Sequence, residues 1–179
     1  MKKLKVLCNC ILLAAMVLLY GCPYDSEFPL SRHDTAIIDT ALIGTWQYKN
    51  SDHKETGLVT ILPFSENELL ISMQGDDKCK YDFFRAFGSV VKGDRFLNIQ
   101  ELRPSAEKRT WMLAGYSISG SELKIRLVED KLFKYKKIES SAALNDFIKA
   151  NLKNEDLYGG EGATVMKFVK YVGPKTGGE

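Results

Sequence analysis

The sequence has little of what most chemistry needs. Its 179 residues include two histidines, His33 and His53, and both stand in polar stretches. A Ser-His-Asp arrangement, a histidine-rich zinc site or a facial triad therefore has no company to draw on. There is no Gly-x-x-x-x-Gly-Lys-Ser/Thr loop, no Gly-x-Gly-x-x-Gly after a strand, no His-Glu-x-x-His and no Gly-x-Ser-x-Gly elbow. Asp76 and Asp77 are adjacent, so in a turn their carboxylates point apart and do not make the convergent pair of a glycosidase. They read instead as a solvated hairpin turn. These absences set the expectation of no enzyme activity, no metal and no cofactor.

Long apolar runs are also scarce, and the one present is terminal. Lys2, Lys3 and Lys5 precede an uncharged stretch from Val6 to Tyr20, followed by Gly21 and Cys22. A spanning helix needs about 20 apolar residues. This stretch is shorter, contains Asn9 and ends at a small residue, the three-part plan of a secretory signal peptide. Leu19-Tyr20-Gly21-Cys22 resembles a bacterial lipobox, which implies diacylation of Cys22 and cleavage between Gly21 and Cys22. In lipoprotein families an Asp after that cysteine retains the protein in the inner membrane. Here the residue is Pro23, so the resemblance implies an envelope protein on the periplasmic face of the outer membrane rather than the inner one.

Losing residues 1–21 removes three lysines and no acid from a chain of 25 basic and 23 acidic residues, leaving one net negative charge. Non-specific nucleic-acid binding needs a strong basic excess, so no nucleic-acid partner is expected. Of four cysteines, Cys8 and Cys10 leave with the leader and Cys22 carries lipid, so Cys79 is left alone. A disulfide framework and a cysteine metal site are both excluded. Cys79, between Lys78 and Lys80, reads as a small core residue entering a strand, with an activated thiol as the alternative.

Residues 22–40 carry Pro23 and Pro29 and show no periodicity before Ala36, which reads as a lipidated tether. Asp34-Thr35 stands where it can cap a short turn. The folded domain is expected over 41–173, with a flexible tail at 174–179. Within it, strand character appears at 42–49, 57–64, 68–74, 81–91, 94–101, 110–118, 122–128 and 164–171. Leu69, Ile71 and Met73, Leu97 and Ile99, and Leu123, Ile125 and Leu127 mark faces that alternate with polar ones, one face to a core and the other mostly to water. The connections are short, as antiparallel neighbours allow. Between the last two strands, Ser140-Ser141 followed by Leu144, Phe147, Ile148 and Leu152 predicts a helix over about 140–153 with one apolar face. An eight-stranded antiparallel meander leaves two raw edges unless it closes. The expected fold is a mainly β up-and-down barrel with that single helix on its outer wall.

Gly44-Thr45-Trp46 at the start of the first strand resembles the lipocalin and calycin signature, in which the Trp crosses the closed end of an eight-stranded barrel. The resemblance implies a structural role for Gly44 and Trp46 as the barrel floor. Two features depart from that family. No Thr-Asp-Tyr loop motif is found, and the last strand offers Lys167 and Lys170 where lipocalins stack an Arg on the Trp. Lipobox, Pro-containing segment and Gly-x-Trp strand together resemble a class of small bacterial envelope lipoproteins, which implies a location and no reaction.

Eight-stranded barrels can hold one small ligand. The expected function is a membrane-anchored barrel that binds a hydrophobic or amphipathic small molecule in the cell envelope. The alternative is a structural lipoprotein that docks to an envelope protein complex. The run Lys131-Leu132-Phe133-Lys134-Tyr135-Lys136-Lys137 interleaves bases with aromatics, a pattern suited to lipid headgroups and equally to a solvated irregular segment.

Overall fold

A computed structural model describes residues 22–36, 38–49, 56–74, 81–103, 105–160, 163 and 165–173. Nine strands are found there: β1 (Asp25–Ser26), β2 (Gly44–Lys49), β3 (Thr56–Pro63), β4 (Leu69–Gln74), β5 (Tyr81–Val91), β6 (Asp94–Glu101), β7 (Trp111–Ser119), β8 (Glu122–Leu127) and β9 (Val165–Lys170). Strands β2 to β9 pair antiparallel in chain order, and β9 returns to pair with β2 over Trp46↔Lys170, Gln47↔Val169 and Tyr48↔Phe168. The ring is closed, so none of these eight strands offers a raw edge along its whole length. The turn at Lys92-Gly93 shows why the meander folds back so tightly. Both residues have positive φ, 51° and 94°, the left-handed pair that matches a two-residue hairpin to strand twist.

The helix α1 (Ser141–Asn151) starts where its cap predicts, with the Ser140 side chain accepting from Ala143 N–H at 3.1 Å. Leu144 and Ile148 are buried, and the helix packs on the outside of the barrel with Val91, Phe96, Leu113 and Val128 beneath it. A second core lies inside the barrel, built from Trp46, Ile61, Leu69, Ala86, Leu97, Ala114, Leu123 and Phe168 among others.

The tether expected at 22–40 is corrected by the structure: its described residues lie against the barrel. Strand β1 pairs with the start of β7, and the Tyr24 N–H donates to the Val128 carbonyl at 2.9 Å. Ser26, Leu30 and Ala36 are buried. The physical reason sits on the outward face of β6, where water was expected. Asn98 is completely buried there and holds the segment with its amide. It accepts from the Leu30 N–H at 2.6 Å and donates to the Phe87 carbonyl at 3.2 Å and to Ser89 Oγ at 2.7 Å. Phe96 and Gln100 on the same face are also buried. The cap expected from Asp34-Thr35 is likewise corrected: Asp34 pairs with Arg32, and Asp39 caps the 3-10 turn Thr40–Leu42 by accepting from Ala41 N–H at 3.1 Å.

Replacing Asn98 with Ala strips a partner from the buried Leu30 N–H, a loss of about 1–3 kcal/mol by the cost of one unsatisfied buried group. Urea unfolding should show that loss. Hydrogen exchange should show the amides of residues 24–36 opening ahead of the barrel, and equal exchange in both proteins would refute the staple.

Candidate functional site

The barrel is shut at one end. The 3-10 turn Thr40–Leu42 puts Leu42 under Trp46, whose Nε1–H donates to the Leu42 carbonyl at 2.7 Å. Trp46 is 1% exposed. Lys170 closes the arrangement from the last strand. Its Nζ lies 4.4 Å from the centre of the Trp46 ring and donates to the Ile43 carbonyl. A cation over an indole face is held by the ring's quadrupole. Of the two lysines on the last strand, Lys170 is thus the one that lies over the Trp, while Lys167 is exposed on the outward face. Gly44 suits its backbone conformation, and a side chain there would also displace the Lys170 ammonium. Its φ is 129°, and a Cβ there would meet Lys170 Nζ at 2.8 Å.

Toward the opposite end the lining stays apolar and is partly exposed on five strands, whereas β7 runs the other way, from buried Ala114 to partly buried Tyr116 and Ile118 near the floor. On β2 the inward row passes from buried Trp46 to half-buried Tyr48, and on β5 from Ala86 to Phe84. The same step runs from Leu97 to Ile99 on β6, from Leu123 to Ile125 and Leu127 on β8, and from Phe168 to Met166 on β9. In each case the partly exposed residue lies toward the end that carries the β2–β3 and β4–β5 connections. Those connections, 50–55 and 75–80, lie outside the described residues, and with them His53, Asp76, Asp77, Lys78, Cys79 and Lys80.

At the shut end an open cleft of about 460 Å³ lies between the 31–39 segment and the β5–β6 hairpin, with Ser31, Ser89, Asp39, Arg95 and Tyr116 on its walls. Its polar groups are spent on one another. Asp39 Oδ2 accepts from Arg95 at 2.9 Å and from the Tyr116 hydroxyl at 3.1 Å, and the Ser31 and Ser89 hydroxyls meet at 2.6 Å. Burial first, and the Asp39 carboxylate beside it second, hold the Tyr116 hydroxyl well above its usual value.

Cys22 is exposed and carries a free thiol, and Gly21 lies outside the described residues. His33 is exposed on the segment over β5, its ring edge-on to Phe87 at 6.2 Å. Among the described residues no three metal-ligating side chains cluster, and no helix is long and apolar enough to cross a membrane. Of the residues singled out from sequence, Gly44 and Trp46 meet at one place, and Cys22 stands apart from them on the outer wall. Lys170 and Leu42 complete the floor. The alternation Met166, Phe168, Lys170 places Lys170 on the inward face and was the available signal for it. Comparison with protein-family models, with curated proteins and with solved structures finds no match.

Two outcomes test this end of the barrel. Gly44→Ala and Lys170→Ala should each destabilise the fold by about 1–2 kcal/mol, the first through backbone conformation and the second through the lost ring contact and hydrogen bond. Chemical denaturation followed by far-ultraviolet circular dichroism reads both. Tyr116 binds its proton more tightly in the folded chain than in the unfolded one, so stability falls as pH rises through about 10, where an unfolded tyrosine ionises. Tyr116→Phe should make that alkaline decline shallower, and an unchanged slope would refute the assignment.

Proposed function

We propose that the chain is a lipoprotein of the cell envelope, anchored through Cys22, whose barrel takes a hydrophobic or amphipathic small molecule through the end opposite Trp46. The lipocalin-like reading is supported by the closed eight-stranded ring and by the Lys170–Trp46–Leu42 floor. The observation that carries ligand binding is the inward row of Tyr48, Phe84, Ile99, Ile125, Leu127 and Met166, apolar side chains that keep part of their surface open. Apolar surface left wet inside a concave wall gains free energy when an apolar guest covers it. None of those six is charged, and Tyr48 brings a hydroxyl among them, a lining suited to an apolar or amphipathic guest. Anchoring needs more than one chain, since a single acyl chain holds a protein only marginally. A triacylated Cys22 meets that requirement and puts the barrel on the periplasmic face of its membrane, the outer one on the reading of Pro23.

A second reading has its own observation. Exposed apolar residues flank β4 on the outer wall, Leu62 and Phe64 toward the shut end and Tyr81 and Phe83 toward the other, and apolar surface gathered on an outer wall can mark a partner site. On that reading the lipoprotein docks an envelope protein by this wall.

Native mass spectrometry of residues 23–179, secreted without lipid and purified without detergent, tests the first reading. Ligand binding predicts a discrete extra mass that extracts into organic solvent and disappears in Ile99→Trp, where a larger ring occupies the lumen. A bare mass that persists after incubation with envelope lipid extract would sink it. For the anchor, Cys22→Ala should accumulate as an uncleaved precursor that takes up no labelled palmitate, and a normally cleaved protein in the membrane fraction would overturn the lipobox.

A further inference from the structure

The basic and aromatic run at 131–137 has no part in the barrel, yet the fold brings it beside the segment that begins at Cys22. The Asp130 N–H donates to the Cys22 carbonyl at 3.0 Å, and Pro23 forms a bridge with Glu129. Next along, the Tyr24 ring stacks on Phe133, centroids 3.6 Å apart and planes 11° from parallel. The chain is therefore fixed to the domain from residue 22 onward. An acyl group on Cys22 has no free linker between itself and the barrel wall.

The turn itself is ordered by its own hydrogen bonds. Phe133 and Lys134 N–H groups both donate to the Asp130 carbonyl, at 2.8 and 3.1 Å, and Lys136 N–H donates to Phe133 at 2.8 Å. Phe133 is buried between Tyr24 and Phe147. Phe133 is held inward, whereas Tyr135 is 88% exposed, more than any other Phe, Tyr or Trp among the described residues. Lys134 Nζ lies 5.7 Å from its ring. Lys131 and Lys137 are paired with Asp156 and Glu139, whereas Lys134 and Lys136 are exposed and have no acidic partner among the described residues.

We propose that Cys22 and the turn bearing Lys134, Tyr135 and Lys136 form one membrane-facing surface, which sets the barrel at a fixed orientation on an anionic bilayer. The inference rests on acylation of Cys22. The acyl chains enter the hydrocarbon, and Tyr135 sits at headgroup depth, where an aromatic body with a polar tip is favoured. Lys134 and Lys136 face phosphate oxygens, an attraction that a negative surface potential strengthens and salt screens. The occupant is the anionic phospholipid headgroup layer of the membrane that holds the lipid.

The test uses the mature lipoprotein purified from membranes and reconstituted into phosphatidylcholine vesicles with and without phosphatidylglycerol. Hydrogen exchange of peptides spanning 130–138 is read in the same digest as the mass of the peptide that begins at Cys22. The expected result is an acylated N-terminal peptide, with exchange in the turn slowed severalfold in anionic vesicles relative to neutral ones. The slowing should be lost in the Lys134→Glu, Lys136→Glu double variant and at high salt. Both lysines are exposed, so the double variant should match the parent in thermal unfolding. An acylated N-terminal peptide with equal exchange in both vesicles overturns the surface and leaves the anchor standing. A free cysteine on that peptide overturns the anchor, and the inference falls with it.

Discussion

The seam at which the last strand meets the first is the contact on which the rest depends. Strand β9 lies between β8 and β2, and its last residue, Lys170, reaches across the seam to the Trp46 ring and the Ile43 carbonyl. One ammonium therefore links the final strand, the floor aromatic and the segment that plugs the barrel. Opening the seam would expose two strand edges and the Trp46 face together. Gly44 fits the same place, because its φ of 129° suits a residue without a Cβ and the Lys170 chain lies where that Cβ would project. An ammonium is a compact, strongly hydrated charge, so holding it over a buried ring requires the carbonyl partner that Ile43 supplies.

A second constraint acts on the outside. A barrel wall with water on one face needs only alternating residues, but β6 is buried on both faces, with Phe96 and Asn98 outward and Leu97 inward. Covering that outward face takes two pieces of chain distant in sequence: α1 through Leu144 and Ile148, and the N-terminal segment through Leu30. Asn145 joins the two covers by donating to the Leu30 carbonyl at 3.3 Å. An apolar side chain in place of Asn98 could fill the space, but it would leave the Leu30 N–H dry. The polar group is what makes the position specific for an irregular backbone, which carries its own unpaired donors into the interior.

Much of the barrel was legible because its strands are regular. Period-2 faces at 69–73, 97–99 and 123–127, short turns and one capped helix each depend on neighbours in sequence, and all appear in the fold. The N-terminal segment was not legible, for a physical reason. Its contacts are single residues without period: Ser26 on the edge of β7, Leu30 under a helix, Ala36 near Phe87. Proline and polar content suggests a tether when such a segment is read alone. What contradicts a tether lies elsewhere in the chain, in Phe87, Val91 and Phe96 on faces that a solvated wall would not make apolar. The floor was half legible: Gly44-x-Trp46 is visible as a motif, whereas its partner on β9 has to be found by carrying the alternation through to Lys170.

The packed N-terminus changes what an anchor at Cys22 can do. A free tether lets a domain rotate against its membrane, and a segment pinned by Asp130, Val128 and Phe133 does not. In a ring of eight strands, β4 stands opposite β8, the strand beside which Cys22 is held. If the β8 side rests on the bilayer, the exposed wall at Leu62, Tyr81 and Phe83 points away from it, toward whatever shares the envelope. The two readings of the barrel then need not compete for one surface. On the proposed anchoring, a lumen entered from one end, a wall turned outward and a lysine-flanked tyrosine turned to the lipid would use three separate parts of the same cylinder. The orientation of all three would then be set by where the chain is fastened.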